Sequence, residues 1–381
     1  MPLTFVLAPD SFKESMSAAQ ACQAMQRGIQ KVLPDALCIH VPMADGGEGT
    51  VDALISSSKG HYIRCEVMGP LAGQRIQTYF GLIDAGKTAI IEMAKANGIE
   101  LLEPARRNPL LTSTYGTGEM IRSALDLGVS KIIIGLGGSV TNDAGAGMAQ
   151  ALGARFLDKN HQQVGLGGGQ LNQIQSIELS ELDQRLKQVE IWIASDVNNP
   201  LCGEHGASYV FGPQKGATPE MLKQLDQNLS HFADLVARQI GREHRHIAGA
   251  GAAGGLGFAL MAFTAASIRS GVELMIEQLE LAEKIAQADY VLTGEGKIDH
   301  QTKLGKTPFG VAQVAQRFNK PVLAFAGLVG DGIESLYESG FSRIIGINPP
   351  DCSLQEALKN AEVNLEKTVS ETIKNMGEQR I

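Results

Sequence analysis

The stretch Tyr290-Val-Leu-Thr-Gly-Glu-Gly-Lys-Ile-Asp299 opens as a buried strand and then turns to glycine and charge. A helical segment follows Pro308. A second apolar run lies at Val322-Leu-Ala-Phe325, another helix intervenes, and a third run closes the series at Ile344-Ile-Gly-Ile347. Short β-branched runs separated by helices point to parallel strands, because a parallel partner is reached only through a crossover, usually a helix. The other end of the chain repeats the pattern. Residues 4–8 predict a strand. Ser17, with Gln20 three residues on, forms a capping box, and its helix should run to about Leu33, before Pro34. Residues 37–42 predict a second strand.

The middle of the chain reads differently. Residues 64–93 alternate, carry turn signals at Gly69-Pro70 and Asp84-Ala-Gly-Lys87, and lack a helical period, so a β meander is expected. Lys131-Ile-Ile-Ile-Gly-Leu136 predicts a buried strand, and residues 144–152 a helix of small side chains. Gly165-Leu-Gly-Gly-Gly169 is a glycine-rich loop, and residues 150–260 hold few long strands. The expected architecture is α/β: a Rossmann-like, doubly wound parallel sheet domain with a second α/β domain inserted. The first would be discontinuous, residues 1–64 and 285–381. The inserted domain would be residues 65–284, with the active site in the cleft between the two.

Composition narrows the partners. The 381 residues carry 33 Lys and Arg against 41 Asp and Glu, a net charge of -8, which leaves no basic excess for nucleic acid. Hydrophobic residues at 44% with 19% charged exclude bulk disorder. Glycine, 44 of 381 against a usual share of about 7%, clusters in short runs and points to loops that approach something closely. Five scattered cysteines without a CxxC suit reduced thiols in the cytoplasm. No secretory leader is expected, since the short apolar run 2–7 meets Asp10 and Lys13 at once. Residues 247–268 are uncharged, but their glycines make a membrane span too weakly hydrophobic, so a glycine loop feeding a buried helix is expected. His244 and His246 read as solvated.

Several motifs carry possible chemistry. Gly81-Leu-Ile-Asp-Ala-Gly-Lys-Thr88 matches the phosphate-loop pattern letter for letter, yet its halves read as hairpin strands around a tight turn. Gly249-Ala-Gly-Ala-Ala-Gly254 matches a dinucleotide fingerprint but follows a poor strand; a phosphate loop at a helix N-terminus and tight helix packing compete for it. The run Lys131–Gly135 leads into Gly137-Gly138-Ser139-Val-Thr141-Asn142-Asp143 and then a helix, an arrangement that aims free N–H groups at an anion. The alternative there is a polar turn with Asp143 as an N-cap. Glu295, Lys297, Asp299, Lys303 and Lys306, among glycines at a strand end, are the mixture phosphoryl transfer uses. Asp10-Ser-Phe-Lys13, Asp45-Gly-Gly-Glu-Gly-Thr50 and Ser195-Asp196-Val-Asn-Asn199, with Lys215 downstream, are further polar clusters at strand ends.

Taken in order, these runs resemble the bacterial glycerate kinase family, type 1. The resembling stretches are residues 10–13, 42–50, 113–119, 135–147, 195–203, 210–216, 249–257 and 293–299, continuing through Gly305-Lys306, and they span nearly the whole chain. Glu14 and Val140 stand where glycine and alanine are more usual. The resemblance implies phosphorylation of D-glycerate by ATP, two α/β domains with the second inserted, and a cytoplasmic role in glycerate or glyoxylate catabolism. It brings no residue roles; those follow from the chemistry.

An alcohol acceptor needs a carboxylate to take its proton, and Asp45 is the first choice, with Asp196 second. Glu295 and Asp299 would hold Mg2+ on the ATP phosphates. Lys13, with Lys297 and Lys306, would neutralise phosphate or the substrate carboxylate. Gly137, Gly138, Ser139, Thr141 and Asn142 would cradle phosphates. No membrane partner is expected. The oligomeric state is open, with a homodimer as one option, as is the choice between the 2- and 3-hydroxyl. Two rivals remain: an NAD-dependent hydroxy-acid dehydrogenase resting on residues 249–254, and a non-enzymatic small-metabolite sensor.

Overall fold

The computed structural model describes residues 2–47, 49–58 and 60–378; Glu48 of the motif at 45–50 lies outside them. The strands in chain order are β1 (Thr4–Leu7), β2 (Leu37–His40), β3 (His61–Met68), β4 (Arg75–Ile83), β5 (Thr88–Glu92), β6 (Lys131–Gly135), β7 (Arg155–Leu157), β8 (Ser176–Glu178), β9 (Glu190–Ala194), β10 (Ser267–Arg269), β11 (Tyr290–Ile298), β12 (Val322–Val329) and β13 (Phe341–Gly346). The fold class is α/β, helices interleaved with a parallel sheet and a mixed one. By contacts the chain divides into two compact units. The first comprises residues 1–45, 52–57 and 272–381, the second residues 46–51 and 58–271. Against the expected crossing near 284, residues from 272 onward group with the first unit. Val272 packs so closely on the helix Thr307–Arg317 that a Cβ at Gly310 would lie 2.3 Å from its Cγ1.

The first unit holds a five-stranded sheet ordered β13-β12-β11-β1-β2, parallel throughout. The chain runs outward from β1 to β2, then returns to the other side of β1 to lay down β11, β12 and β13. The winding direction therefore switches between β1 and β11, and open α/β sheets bind ligands at such a point, beyond the carboxyl ends of the strands. The helix Ala18–Gln30 starts at the expected Ser17–Gln20 capping box and buries Cys22, Met25 and Ile29. Against it lies the C-terminal helix Leu354–Glu378, so close at Gly28 that a Cβ would sit 2.5 Å from the Glu366 carbonyl oxygen. Phe5, Leu7, Met25, Phe325, Leu365 and Val369 share this core.

One expectation fails here in an instructive way. The run of charge after Thr293 was expected beyond the strand's end, but β11 continues through Ile298. Its partner β12 is one residue shorter, and the register pairs Glu295 with Ala326 and Lys297 with Leu328. Gly296 and Gly327 let the two backbones meet: a Cβ on Gly327 would lie 2.7 Å from the Gly296 carbonyl oxygen. The charges therefore ride on a two-stranded overhang past the end of β1, which stops at Leu7.

The second unit has a six-stranded sheet ordered β10-β9-β6-β5-β4-β3. The β3–β4 and β4–β5 pairs are antiparallel, as the meander predicted, and the pairs onward to β10 are parallel. The phosphate-loop pattern at residues 81–88 is the β4–β5 hairpin. Its 3₁₀ turn spans Asp84–Gly86 with φ 53 at Ala85, and the Thr88 hydroxyl donates to Asp84 Oδ2 at 2.7 Å. The fingerprint at residues 249–254 follows no strand. A Cβ at Gly254 would lie 2.0 Å from the Thr141 carbonyl oxygen, and one at Gly251 2.3 Å from that of Pro200, so these glycines serve close packing. The helix that overlaps their end, Ala252–Phe263, is largely buried, and no helix among the described residues is long and apolar enough to cross a membrane. His244 is buried with its ring nearly perpendicular to that of Phe258, contrary to the solvated reading.

Candidate active site

In the first unit the carboxyl ends of β1 and β11 open into a cavity of about 860 Å³. After β1, Ala8 N–H donates to the Leu292 carbonyl at 2.7 Å and Asp10 N–H to that of Gly294 at 2.8 Å, so the ladder to β11 outlasts the strand. The Thr293 hydroxyl adds a bond to the Ala8 carbonyl at 2.7 Å. This stitching holds Asp10 beside the β11 overhang that carries Glu295. The next five residues close a small loop, with Phe12 and Met16 bonded both ways at 2.9 and 3.0 Å. Glu14 sits in it at φ 63, a left-handed conformation that favours glycine, which gives the departure at position 14 a physical meaning.

Two carboxylates here are held away from their usual protonation range. Asp10 accepts from the Thr307 hydroxyl at 2.5 Å and from Ser11 N–H at 2.6 Å. Burial, and then the charge of Asp45, push its pKa up to about 6, against the pull of Thr307, Ser11 and Lys13. Glu295 lies 3.3 Å from Lys306 Nζ and accepts a long bond from the Thr302 hydroxyl at 3.4 Å. Burial raises it to about 7, opposed mainly by Lys306 and reinforced by Asp10. Lys306 directly precedes the helix Thr307–Arg317, so its ammonium and the helix's positive end act on the same space.

Of the residues singled out from sequence, Lys13, Asp45, Glu295, Lys297 and Lys306 line this one cavity. Asp299 is not among the lining residues. Lys297 Nζ holds its Oδ2 at 2.9 Å and Gln301 N–H donates to its Oδ1 at 2.9 Å, so it caps the 3₁₀ turn His300–Leu304. Lys297 accordingly keeps that carboxyl below its usual range. Asp10 was seen in sequence only as part of a cluster. Its partner in charge lies 285 residues further on, a separation no local pattern reveals.

Among the described residues no group of three or more His, Cys, Asp or Glu forms a cage for a metal. Mg2+ on a nucleotide needs less: one or two carboxylates, with phosphate oxygens and water completing the shell. Glu295 and Asp10, both harder to ionise than an exposed carboxylate, fit that requirement, since a bound cation would favour their charged forms.

The second unit carries the other candidates. Past β6, residues 46 and 47 cross so near that a Cβ on Gly135 would lie 2.3 Å from the Gly46 carbonyl oxygen, and one on Gly137 2.8 Å from Gly47 Cα. Gly137 and Gly138 are exposed, while Ser139, Thr141 and Asn142 are buried. Asn142 Oδ1 accepts from the Ser208 hydroxyl at 3.3 Å, and the Thr141 hydroxyl donates to the Ala253 carbonyl at 3.4 Å. Lys215, noticed in sequence only as a downstream lysine, is 1% exposed. Its Nζ lies 2.7 Å from both Ser139 Oγ and the Thr141 carbonyl oxygen, and burial lowers its pKa to about 7.

Asp143 is a fully buried hub rather than a simple cap. It accepts from Thr114 N–H and hydroxyl at 2.8 and 3.0 Å, and from the N–H groups of Gly145 and Gly147 at 3.1 and 3.2 Å. Burial pushes its carboxyl up against those four donors. Asp196, after β9, is half-buried and accepts from Gly271 N–H at 3.3 Å.

An α/β chain whose sheet switch point gathers carboxylates and lysines in one ligand-sized cavity has the features of a phosphotransferase. The family model of the glycerate kinase family matches residues 5–377. The chain belongs to that family, and it is a kinase. The glycerate kinase of Haemophilus influenzae is 50% identical over 366 residues, covering 96% of this chain and 97% of its own. The glycerate 2-kinase of Escherichia coli is 46% identical over 363 residues, covering 95% of each. A solved structure of a protein assigned as glycerate kinase 2, from Salmonella typhimurium LT2, superposes with a TM-score of 0.89 at 46% identity, covering 100% of both chains.

Proposed function

We propose that this protein transfers the γ-phosphoryl group of ATP to D-glycerate, with the 2-hydroxyl as acceptor. The observation that carries this reading is the pairing of Asp10 and Glu295, both with raised pKa, in a cavity that Lys13, Lys297 and Lys306 also line. The relatives' names support glycerate as substrate, and that of the Escherichia coli relative supports the 2-hydroxyl.

In this reading Lys13 and Lys306 neutralise phosphate oxygens, and the helix Thr307–Arg317 adds its N-terminal dipole. Glu295, with Asp10 beside it, would hold Mg2+, which supplies charge neutralisation on the nucleotide's terminal phosphates. Asp299 is assigned a supporting part, restraining Lys297. Asp45, exposed at the cavity wall, takes the proton of the acceptor hydroxyl as its oxygen attacks phosphorus and the bond to the ADP leaving oxygen breaks. Asp196 is the second choice for that base. The exposed N–H groups of Gly137 and Gly138 are assigned to an anionic substrate group, with Ser139, Thr141 and Asn142 shaping the loop from behind.

The test is ADP release with Mg-ATP and D-glycerate, followed by phosphorus NMR of the product. Glycerate-dependent turnover to 2-phosphoglycerate is expected. Glycerate binding without turnover would move the sensor reading to the front. The dehydrogenase reading has lost its footing at residues 249–254, and no rise in NADH fluorescence on titration is expected.

A further inference from the structure

We propose that the purine base of the nucleotide sits at the opposite, apolar end of the first unit's cavity, on the ends of β12 and β13 and the first turns of the C-terminal helix. This rests on the nucleotide-dependent reading above and adds to it where the base goes. The cavity lining changes character across the sheet. Beside β1 and β11 it is acid and lysine; from the end of β12 onward it is mainly apolar, with Leu328, Ile347, Pro349, Leu354, Leu358 and Ala361. Its volume of about 860 Å³ falls in the range of small-molecule sites, and the mix of apolar walls with a few convergent polar groups is what such sites show.

The strand register supplies the continuity. Glu295 pairs with Ala326, and Ala326 pairs with Gly346, so the carboxylate end and the β13 end lie two strand spacings apart, about 10 Å. A ligand with anionic groups over β11 and a flat apolar part over β13 must be elongated and amphipathic, as a nucleotide is. Two large apolar side chains on this wall stand in water: Leu328 is 57% exposed and Leu354 75%. One on a strand and one at the start of a helix, they offer apolar faces that a heteroaromatic ring would cover. Asn348 stiffens the floor, donating through Nδ2 to the Gly327 carbonyl at 2.8 Å and accepting from Asn364 at 2.9 Å.

The experiment is calorimetric titration of the full-length protein with ADP and, separately, with inorganic tripolyphosphate. Ala357→Trp fills the slot from the helix at a half-buried position. It is expected to raise the Kd for ADP at least tenfold and leave that for tripolyphosphate within twofold. Leu354→Asp, on an exposed side chain that cannot disturb a core, should weaken ADP threefold to tenfold with the same indifference to tripolyphosphate. In turnover, both variants should raise the KM for ATP and leave the KM for glycerate unchanged. ADP binding equal to wild type in both variants would overturn the proposal, as would equal losses for ADP and tripolyphosphate. Selective loss of ADP binding in a protein that turns over no glycerate would support the base site while removing glycerate as the acceptor.

Discussion

The two units each bury ionisable groups, and they do so to opposite ends. In the first, Asp10 has two close hydrogen-bond partners and Glu295 two long ones; both face a cavity and carry pKa values of about 6 and about 7. In the second, Asp143 is wrapped by four donors, and Lys215 bridges Ser139 and the Thr141 carbonyl with no exposed surface to speak of. A buried carboxylate that is fully satisfied holds structure; one left under-compensated at a cavity wall waits for a cation or a proton. The same residue type therefore has two roles, and burial together with hydrogen-bond satisfaction separates them: Asp143 is fully buried with four donors, whereas Asp10 is half-buried at a cavity with two.

That contrast is open to attack by the same chemical change on both sides. Asp45→Asn and Asp10→Asn in the first unit should lower kcat by about 10² to 10⁴. They should leave stability within about 1 kcal/mol, since an amide at position 10 can still accept from Ser11 N–H and donate to Thr307. For Asp10 the sign follows from its raised pKa. Between its ordinary value of 3.8 and about 6 the folded chain binds more protons than the unfolded one, so Asp10 costs stability as pH rises through that window, and Asn escapes the cost. Steady-state kinetics alongside urea melts decide it. A folded Asp45→Asn variant with kcat within a few-fold of wild type would remove Asp45 as the base.

Asp143→Asn is expected to behave in reverse, destabilising by about 2–4 kcal/mol. Its amide can face the three donors on one side only by turning an NH₂ group toward Gly145 N–H on the other. Any loss of activity should track the unfolded fraction and recover on cooling or with osmolyte. If stability held while kcat collapsed, Asp143 would belong with the reacting groups and the contrast between the units would fail.

Lys215 sharpens the contrast through pH. Its folded pKa of about 7 lies below the ordinary lysine value of 10.5, so between those values the unfolded chain carries one proton more. Stability from this group therefore rises as pH climbs from about 7 toward 10, and its penalty is fully present below 7. Lys215→Met should abolish that slope, with the wild-type-minus-variant difference in unfolding free energy growing by up to a few kcal/mol over the window. A flat difference would mean that water or Asp143 keeps the ammonium charged in the folded state.

How much of this the sequence makes legible follows from distance along the chain. The capping box at Ser17, the β4–β5 hairpin beneath a phosphate-loop pattern, and the strand-helix alternation at both ends are local, and local pattern found them. The length of β11 depends on β12, whose register carries charged residues into a strand. The burial of Lys215 depends on Ser139, 76 residues away. Asp299 looked like a metal ligand because its neighbours are glycine and lysine, yet the same neighbours make it a cap. Residue types at a site can be read locally; which carboxylate is satisfied cannot.

Glu14 offers the mildest test, and it probes the loop rather than the charges. The loop closed by Phe12 and Met16 presents Lys13 to the cavity, and it does so with a non-glycine residue at φ 63. That conformation costs an L-residue roughly 1–2 kcal/mol. Glycine would relieve the strain but give the unfolded chain about 0.4–1 kcal/mol of extra entropy. Glu14→Gly should therefore stabilise by between zero and about 1.6 kcal/mol, whereas Glu14→Ala keeps the strain and loses only the charge. Differential scanning of the pair separates the two contributions, and Glu14→Gly melting below Glu14→Ala would show that the backbone there is not strained. The KM for ATP should shift less than threefold in either variant, because Lys13 is held by the bonds between Phe12 and Met16 and not by the side chain at position 14.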